Sequence, residues 1–333
     1  MNIGFAGTPA FAATILDALC ASQHNVALVL SQPERRTGRG QKLTPSYVAK
    51  LAATNDIPVH TPTRLRGFHP VIESLDVLVV AAYGMLLPDS MLQAPRLGCL
   101  NVHASLLPRW RGAAPIEHAI LHGDHETGVS IVQMTAKLDA GPVYLTKPLA
   151  LTSNSTTASV TTDLAHIGAS ALLETLDQAD KHGSFGQAVE QDEAQVTFAP
   201  KIPASAGQID WSESAQQVAR HIRAFHGRDM AFSFLPYNGR KVRVRVLEAE
   251  IWDRSESNVY KSREAGKLPP GTIVAHAIGP IISCGSACLR LLTLQLSVGK
   301  GRPMSGRDAI NGYADIWRIG GCFEAVSGAT PRA

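Results

Sequence analysis

Leu75-Asp76-Val77-Leu78-Val79-Val80-Ala81-Ala82 is a nearly continuous apolar run. A strand with one wet face alternates apolar and polar residues. A run like this one suits a parallel strand covered on both faces. Working outward, β-rich runs alternate with helical patterns. Toward the start, residues 1–6 read as a strand, 9–21 as a helix and 25–32 as a strand that ends in a polar loop, 33–42. Toward the end, 97–103, 128–134 and 142–149 read as strands, and 113–122 and 157–182 as helices. This βαβα order predicts an α/β fold with a doubly wound, Rossmann-like open sheet. Sites in such sheets lie at the carboxyl ends of strands. Gly7, Gln32, Tyr83, Asn101 and His103 all fall at such ends.

The chain has 333 residues, 45% hydrophobic and 18% charged, which predicts a globular protein of two domains. Periodicity fades between residues 183 and 206, where Gly, Ser, Gln, Ala and Pro dominate. The expected division is therefore a first domain at 1–183, a linker at 184–206 and a second domain at 207–333. In the second domain, Ser212 is placed to cap a helix over 213–225. Short β-like segments follow at 231–235, 241–252, 272–277, 281–283 and 288–296, which predicts a small barrel. Residues 254–270 are polar and charged and read as a mobile loop.

No apolar run reaches the roughly 18 residues of a membrane helix. Residues 1–20 lack a basic leading region and break at Gly7-Thr8-Pro9, so they read as strand, turn and helix, not as a signal peptide. The five cysteines are scattered and odd in number, as expected of reduced thiols in a cytoplasmic protein. Net charge is +3 but uneven: residues 1–206 hold 14 Lys/Arg against 17 Asp/Glu, and residues 207–333 hold 17 against 11. A basic second half suggests contact with a polyanion.

Residues 101–116 carry most of the chemistry: Asn-Val-His-Ala-Ser-Leu-Leu-Pro-Arg-Trp-Arg-Gly-Ala-Ala-Pro-Ile. Residues two apart on a strand share a face, so Asn101 and His103 point at one substrate atom. Two prolines and Arg-Trp-Arg-Gly then make a rigid, cationic loop. A carboxylate follows at Leu138-Asp139-Ala140-Gly141. Amide, imidazole and carboxylate suit acyl transfer. Asn101 donates to a developing oxyanion, His103 donates or shuttles the proton, and Asp139 orients the imidazole.

Other features are weaker. Loop 32–42 carries the cations Arg35, Arg36, Arg39 and Lys42, suited to phosphates or simply to solvent. Lys241, Arg243 and Arg245 alternate with Val242, Val244 and Val246, which puts three cations on the outer face of a strand and suits RNA backbone contact. His118 and His122 have helical spacing but no third ligand, and Cys284 and Cys288 have no second pair, so no metal site is expected. Gly4-x-x-Gly7 lacks the full dinucleotide pattern, which disfavours NAD.

Together, Phe5-Ala6-Gly7-Thr8-Pro9, residues 32–42, Ala81-Ala82-Tyr83-Gly84, residues 97–116 and Leu138–Gly141 make the chain resemble the methionyl-tRNA formyltransferase family. The resemblance implies a doubly wound N-terminal domain and an OB-like, tRNA-binding C-terminal barrel. It implies transfer of the formyl group of 10-formyltetrahydrofolate to the α-amino group of methionyl initiator tRNA, for translation initiation. Asn101, His103 and Asp139 match the family's catalytic positions. Tyr83, Gly84, Leu86, Pro88, Ser105, Leu106, Leu107 and Pro108 lie where the family packs its folate. Arg36, Arg39 and Lys42, with Lys241, Arg243 and Arg245, are the expected tRNA contacts. A cytoplasmic monomer without membrane or metal is expected. The family usually has Gly where this chain has Ala104, which requires the backbone there to avoid left-handed geometry.

Relatives with the same catalytic head act on sugar nucleotides or glycinamide ribonucleotide, or hydrolyse formyltetrahydrofolate. The Arg-Trp-Arg-Gly-Ala-Ala-Pro form favours the tRNA branch over the sugar and hydrolase branches. A glycinamide enzyme has no need of the basic second domain. A non-catalytic RNA-binding protein is disfavoured by the intact Asn101/His103/Asp139 set.

Overall fold

The computed structural model describes residues 1–37, 40–68, 71–227, 230–252, 268–299 and 301–326. The chain forms two compact units. The first holds residues 1–119, 125–152 and 159–201; the second holds 120–124, 153–158 and 202–333. In chain order the helices used below are α1 (Ala10–Cys20), α2 (Tyr47–Thr54), α3 (Asp89–Leu92), α4 (Pro115–His122), α5 (Thr157–His182) and α6 (Ala215–Ala224).

The first unit is built on a seven-stranded sheet. Its strands are β1 (Asn2–Gly7), β2 (Asn25–Leu30), β3 (Val59–His60), β4 (Val77–Ala81), β5 (Cys99–His103), β6 (Glu126–Gln133) and β7 (Val143–Ala150). The spatial order is β7-β6-β5-β4-β1-β2-β3. The first five strands are mutually parallel; at one side β6 runs antiparallel to β5, and β7 antiparallel to β6. Every residue of β4 is buried, as its unbroken apolar run requires. The chain builds outward from β1 on one side and returns through β4 on the other, so a switch point opens between β1 and β4. There, Thr8 Oγ1 and Gln32 Nε2 both donate to the Tyr83 carbonyl, at 2.9 and 3.0 Å. The strand ends marked in the sequence thus converge.

Period two assigns the two faces of the sheet. Leu78, Val80 and Cys99 join a core cluster with Leu65, Ile72, Tyr83, Leu87 and Met91. Asn101 and His103, in phase with Cys99, are on this same face. Val102 points the other way, toward α5. A Cβ on Gly168 of that helix would come within 2.9 Å of Val102, so glycine permits the close approach. Helix α1 buries Phe11, Ala12, Ile15, Leu16 and Leu19, an amphipathic stripe. The long helix α5 matches its expected bounds because its apolar period runs unbroken. Helix α2, capped by Ser46, was not expected from the sequence. Its eight residues are too few to carry a clear period.

Two expectations change. The polar loop at 33–42 contains half of a short hairpin, with Arg35–Thr37 paired antiparallel to Lys42–Thr44. Helix α6 is capped by Ser214, not Ser212. Ser214 and Gln217 form a reciprocal capping box, whereas the Ser212 hydroxyl bonds Asp210. The sequence places two serines two residues apart, and only the second has a Gln three residues on.

The second unit is a curled antiparallel sheet of OB-like form. Its strands are β8 (Ala231–Tyr237), β9 (Arg240–Trp252), β10 (Ile273–His276), β11 (Pro280–Ser283) and β12 (Cys288–Leu296), in the order β8-β9-β12-β11-β10. Met304–Ser305 adds to β12. The register shifts along β9 near Glu248, which bends this long strand as a bulge does. Val242, Val244 and Val246 are buried beneath it. Most of the polar loop read at 254–270, residues 254–267, lies outside the described residues.

Candidate active site

Strand β5 delivers Asn101 and His103 at its carboxyl end, paired with Val132 and Ser130 of β6. The chain then turns through residues 104–112, held from below by polar groups. Buried Ser130 Oγ donates to the Ser105 carbonyl (2.8 Å) and accepts from the Leu107 N–H (3.0 Å). Ser105 Oγ donates to the Arg109 carbonyl at 2.6 Å. The Leu107–Pro108 bond is cis. Left-handed backbone occurs at Trp110 (φ 65°) and Asp139 (φ 50°) but not at Ala104. The methyl of Ala104 is therefore accommodated.

The imidazole is oriented differently from the sequence expectation. His103 Nε2 lies 3.0 Å from the Trp110 carbonyl oxygen. A carbonyl only accepts, so Nε2 carries a proton, and in the neutral ring Nδ1 is the free acceptor. Nδ1 faces Asp139 Oδ2 at 3.7 Å, too long for a hydrogen bond. Asp139 therefore does not fix the ring; the backbone of Trp110 does. The carboxylate is held in turn by Asn101 Nδ2 on Oδ1 (3.1 Å) and the Gly112 N–H on Oδ2 (2.9 Å). The carboxylate and imidazole side chains are nearly buried, 10% and 5% exposed. Asn101 keeps one amide proton beyond the one given to Asp139. The cluster thus presents one amide donor and one imidazole acceptor with a carboxylate behind it.

Residues 189–199, expected as part of a linker, are sewn to this loop. Phe198–Ala199 pairs with Arg111–Gly112 as a short parallel ladder. Thr197 receives the Trp110 N–H on its hydroxyl and the Arg111 N–H on its carbonyl. Gln191 donates to the carbonyls of Asp139 (2.8 Å) and Gly141 (2.7 Å) and accepts from Arg111 Nε (2.9 Å). Gln191, the Trp110 carbonyl and the Gly112 N–H escaped the sequence reading. Backbone groups have no side-chain signature, though the β-prone Val196-Thr197-Phe198 was a signal against a featureless linker.

Other expected residues lie around the switch point or far from it. Tyr83 is buried, and its hydroxyl has no hydrogen-bond partner among the described residues. Burial pushes its phenol up to about 12. Gly84 has φ 80°, and Pro88 precedes the short helix α3. Leu86 is 81% exposed and Leu138 60%. Ser105 and Leu107 are buried in the loop's own packing, Leu107 against Val132 and Val143, while Leu106 and Pro108 are half-buried. Arg36 and Lys42 are exposed on the short hairpin, and Arg39 lies outside the described residues. In the second unit Lys241, Arg243 and Arg245 do share the outer face of β9. That face is not purely cationic, because Lys241 pairs with Glu324 at 2.7 Å. Arg243 stacks 3.7 Å above the Phe232 ring, and Arg245 bonds Gln295. His118, on α4, bonds the Pro200 carbonyl and packs tilted against the Trp110 ring, a structural role.

Comparison with known proteins agrees with this architecture. The formyl transferase family model matches residues 1–176, and the model of the formyl transferase C-terminal domain matches 201–314. The methionyl-tRNA formyltransferase of Methylococcus capsulatus is 41% identical over 318 residues, covering 94% of this chain and 97% of that one. The methionyl-tRNA formyltransferase of Coxiella burnetii is 43% identical, covering 95% and 96%. Among solved structures, the sugar 3N-formyl transferase WlaRD has a TM-score of 0.61 at 14% identity, covering 87% of this chain and 97% of that one. HypX from Aquifex aeolicus, in complex with tetrahydrofolic acid, has a TM-score of 0.61 at 14% identity. It matches over 93% of this chain but 46% of its own length. These two likenesses carry the fold alone. With identity above 40% over nearly the whole length of curated relatives, the chain belongs to the methionyl-tRNA formyltransferase family.

Proposed function

We propose that the protein transfers the formyl group of 10-formyltetrahydrofolate to the α-amino group of methionyl initiator tRNA. The observation that carries this reading is the Asn101–Asp139–His103 cluster, on a chain so similar to methionyl-tRNA formyltransferases. The cluster suits an amine acceptor. An α-amino group has a pKa of roughly 8, so about a tenth is already neutral at pH 7. It needs orientation and a proton acceptor, not a strong base.

Asn101 directs its remaining amide proton at the formyl oxygen as the amine attacks and charge develops there. His103 Nδ1 takes the proton that the amine sheds. The imidazolium so formed faces Asp139, whose charge stabilises it, and it returns the proton to the departing nitrogen. One C–N bond forms, one breaks, and the proton passes from the amine to the leaving group. The folate supplies the formyl carbon and that leaving nitrogen.

The residues present fit such a donor. Leu86 and Leu138, exposed on the loops after β4 and β6, offer apolar surface to a ring system. Gly84, Pro88, Leu106 and Pro108 complete the proposed folate surface, with Tyr83, Ser105 and Leu107 shaping it from beneath. Arg36, Arg39 and Lys42 are the proposed contacts to the tRNA in the first domain (1–183). Lys241, Arg243 and Arg245 are those of the tRNA-binding domain (207–333). Among the described residues, no helix is long and apolar enough to cross a membrane. A cytoplasmic monomer is part of this proposal.

The test incubates the protein with 10-formyltetrahydrofolate and charged initiator tRNA and measures formylmethionyl-tRNA, beside elongator tRNA and no acceptor. Formylation selective for the initiator is expected. Formate release without any formylated tRNA refutes the reading.

A further inference from the structure

We infer that Gln191 is a positioning residue for Asp139 and His103. The inference rests on the functional reading above for its kinetic consequence, though not for its structural one. Two loops make the candidate site. One carries the Trp110 carbonyl that fixes His103 and the Gly112 N–H that holds Asp139. The other, after β6, carries Asp139 itself. Asp139 has φ 50°, a left-handed conformation uncommon among L-residues although aspartate adopts it more readily than most.

Gln191 ties the two loops together. Its amide nitrogen donates to the carbonyls of Asp139 and Gly141, at 2.8 and 2.7 Å, which straddle Ala140. Its amide oxygen accepts from Arg111 Nε at 2.9 Å, and Arg111 stands between Trp110 and Gly112. Both amide protons and the amide oxygen are therefore engaged across the junction. Arg111 is only 5% exposed, so its link to Gln191 is shielded from water. Its second link, to Glu193, reaches a carboxylate that is 74% exposed and adds little. The polarity also matters. Two carbonyl oxygens need donors, and only an amide both donates to them and accepts from a guanidinium.

Four variants test this. Gln191→Ala removes the clamp. Gln191→Met keeps the volume and is read if the Ala variant does not fold. Gln191→Glu keeps Arg111 but presents oxygens to two carbonyls. Glu193→Gln is the control. Amide exchange is measured first, because it does not depend on the substrate. The Ala140 and Gly112 N–H groups are expected to exchange about tenfold or more faster in each Gln191 variant. Exchange in β1 and β4 is expected to be unchanged. Unaltered exchange at Ala140 and Gly112 overturns the inference, whatever the enzyme acts on.

Kinetics on methionyl-tRNA come second. Each Gln191 variant is expected to lower kcat about 10- to 100-fold, the cost of misplacing groups by under 1 Å, with KM within about threefold. Glu193→Gln is expected to stay within about twofold. On an Asp139→Ala background, Gln191→Ala is expected to cost clearly less than it does in the parent, because one of the two residues it positions is gone. Losses that multiply, or activity restored by Gln191→Glu, overturn the inference.

Discussion

Gly112→Ala tests how tightly the site loop is built. Gly112 has φ 127°, a backbone region that L side chains rarely adopt. A Cβ added there would stand 2.6 Å from the Ala199 carbonyl oxygen and 3.1 Å from its carbon. Ordinary contact begins near 3.4 Å, so the two backbones must part by about 0.8 Å. Ala199 cannot easily give way, because its carbonyl accepts from both Ala113 (2.8 Å) and Ala114 (3.1 Å). The movement therefore falls on Gly112, whose N–H holds Asp139 Oδ2 at 2.9 Å. Displacing that donor by about 0.8 Å takes it beyond useful hydrogen-bond range. Misplacing catalytic groups by about 1 Å costs about 100-fold in rate, so a fall of roughly 30- to 100-fold in kcat is expected. Backbone strain adds about 1–2 kcal/mol of destabilisation, a fall in Tm of about 3–6 °C. Steady-state formylation and a thermal melt of the same preparation measure both. A Gly112→Ala variant whose kcat stays within about threefold of the parent, with an unchanged Tm, would refute the geometry of the loop.

Further outcomes follow from the same structure. Asn101→Ala should lower turnover by about 100- to 1000-fold, the usual cost of losing one donor to an oxyanion, and His103→Ala by about 100- to 10,000-fold, the usual cost of losing a general acid–base, each with an unchanged melt; near-normal turnover removes that residue from the mechanism. Tyr83→Phe deletes a buried hydroxyl without a partner and should raise stability by about 1 kcal/mol, a lower Tm being the contrary result. The Asn2 N–H, with Arg96, holds the Asp76 carboxyl below its ordinary 3.8. Its folded value is depressed, so its contribution is present above the unfolded value and lost as pH falls through the folded one. Asp76→Asn should cost about 1–2 kcal/mol at pH 7, with the gap to the parent closing as pH falls through the depressed folded value. A gap that does not change with pH in urea titrations counts against the pairing.

Local patterns were legible wherever one physical period ran long enough. The unbroken apolar run at β4, the 26 residues of α5 and the nine of β12 each bury a surface dictated by side-chain spacing alone. Asn101 and His103 were legible for the same reason, since period two puts both on one face. The α2 helix was too short to show its period. The hairpin at Arg35–Thr37 is made by backbone pairing, which charged side chains hide.

The sequence by itself determined the class of fold, the alternation of valines and cations along β9, and the types of side chain that meet at the site. Tertiary structure alone decided how they are arranged. Which imidazole nitrogen is free depends on the Trp110 carbonyl, a group that every residue possesses. Which donors hold Asp139 depends on the Gly112 N–H and on Asn101, brought together across two loops. Gln191 sits in a stretch whose composition reads as a linker, and it acquires its role only where Arg111 and the Asp139 loop meet it. Side-chain chemistry is written along the chain, but backbone donors and acceptors are identical at nearly every position. Only folding selects which of them face a buried imidazole or carboxylate.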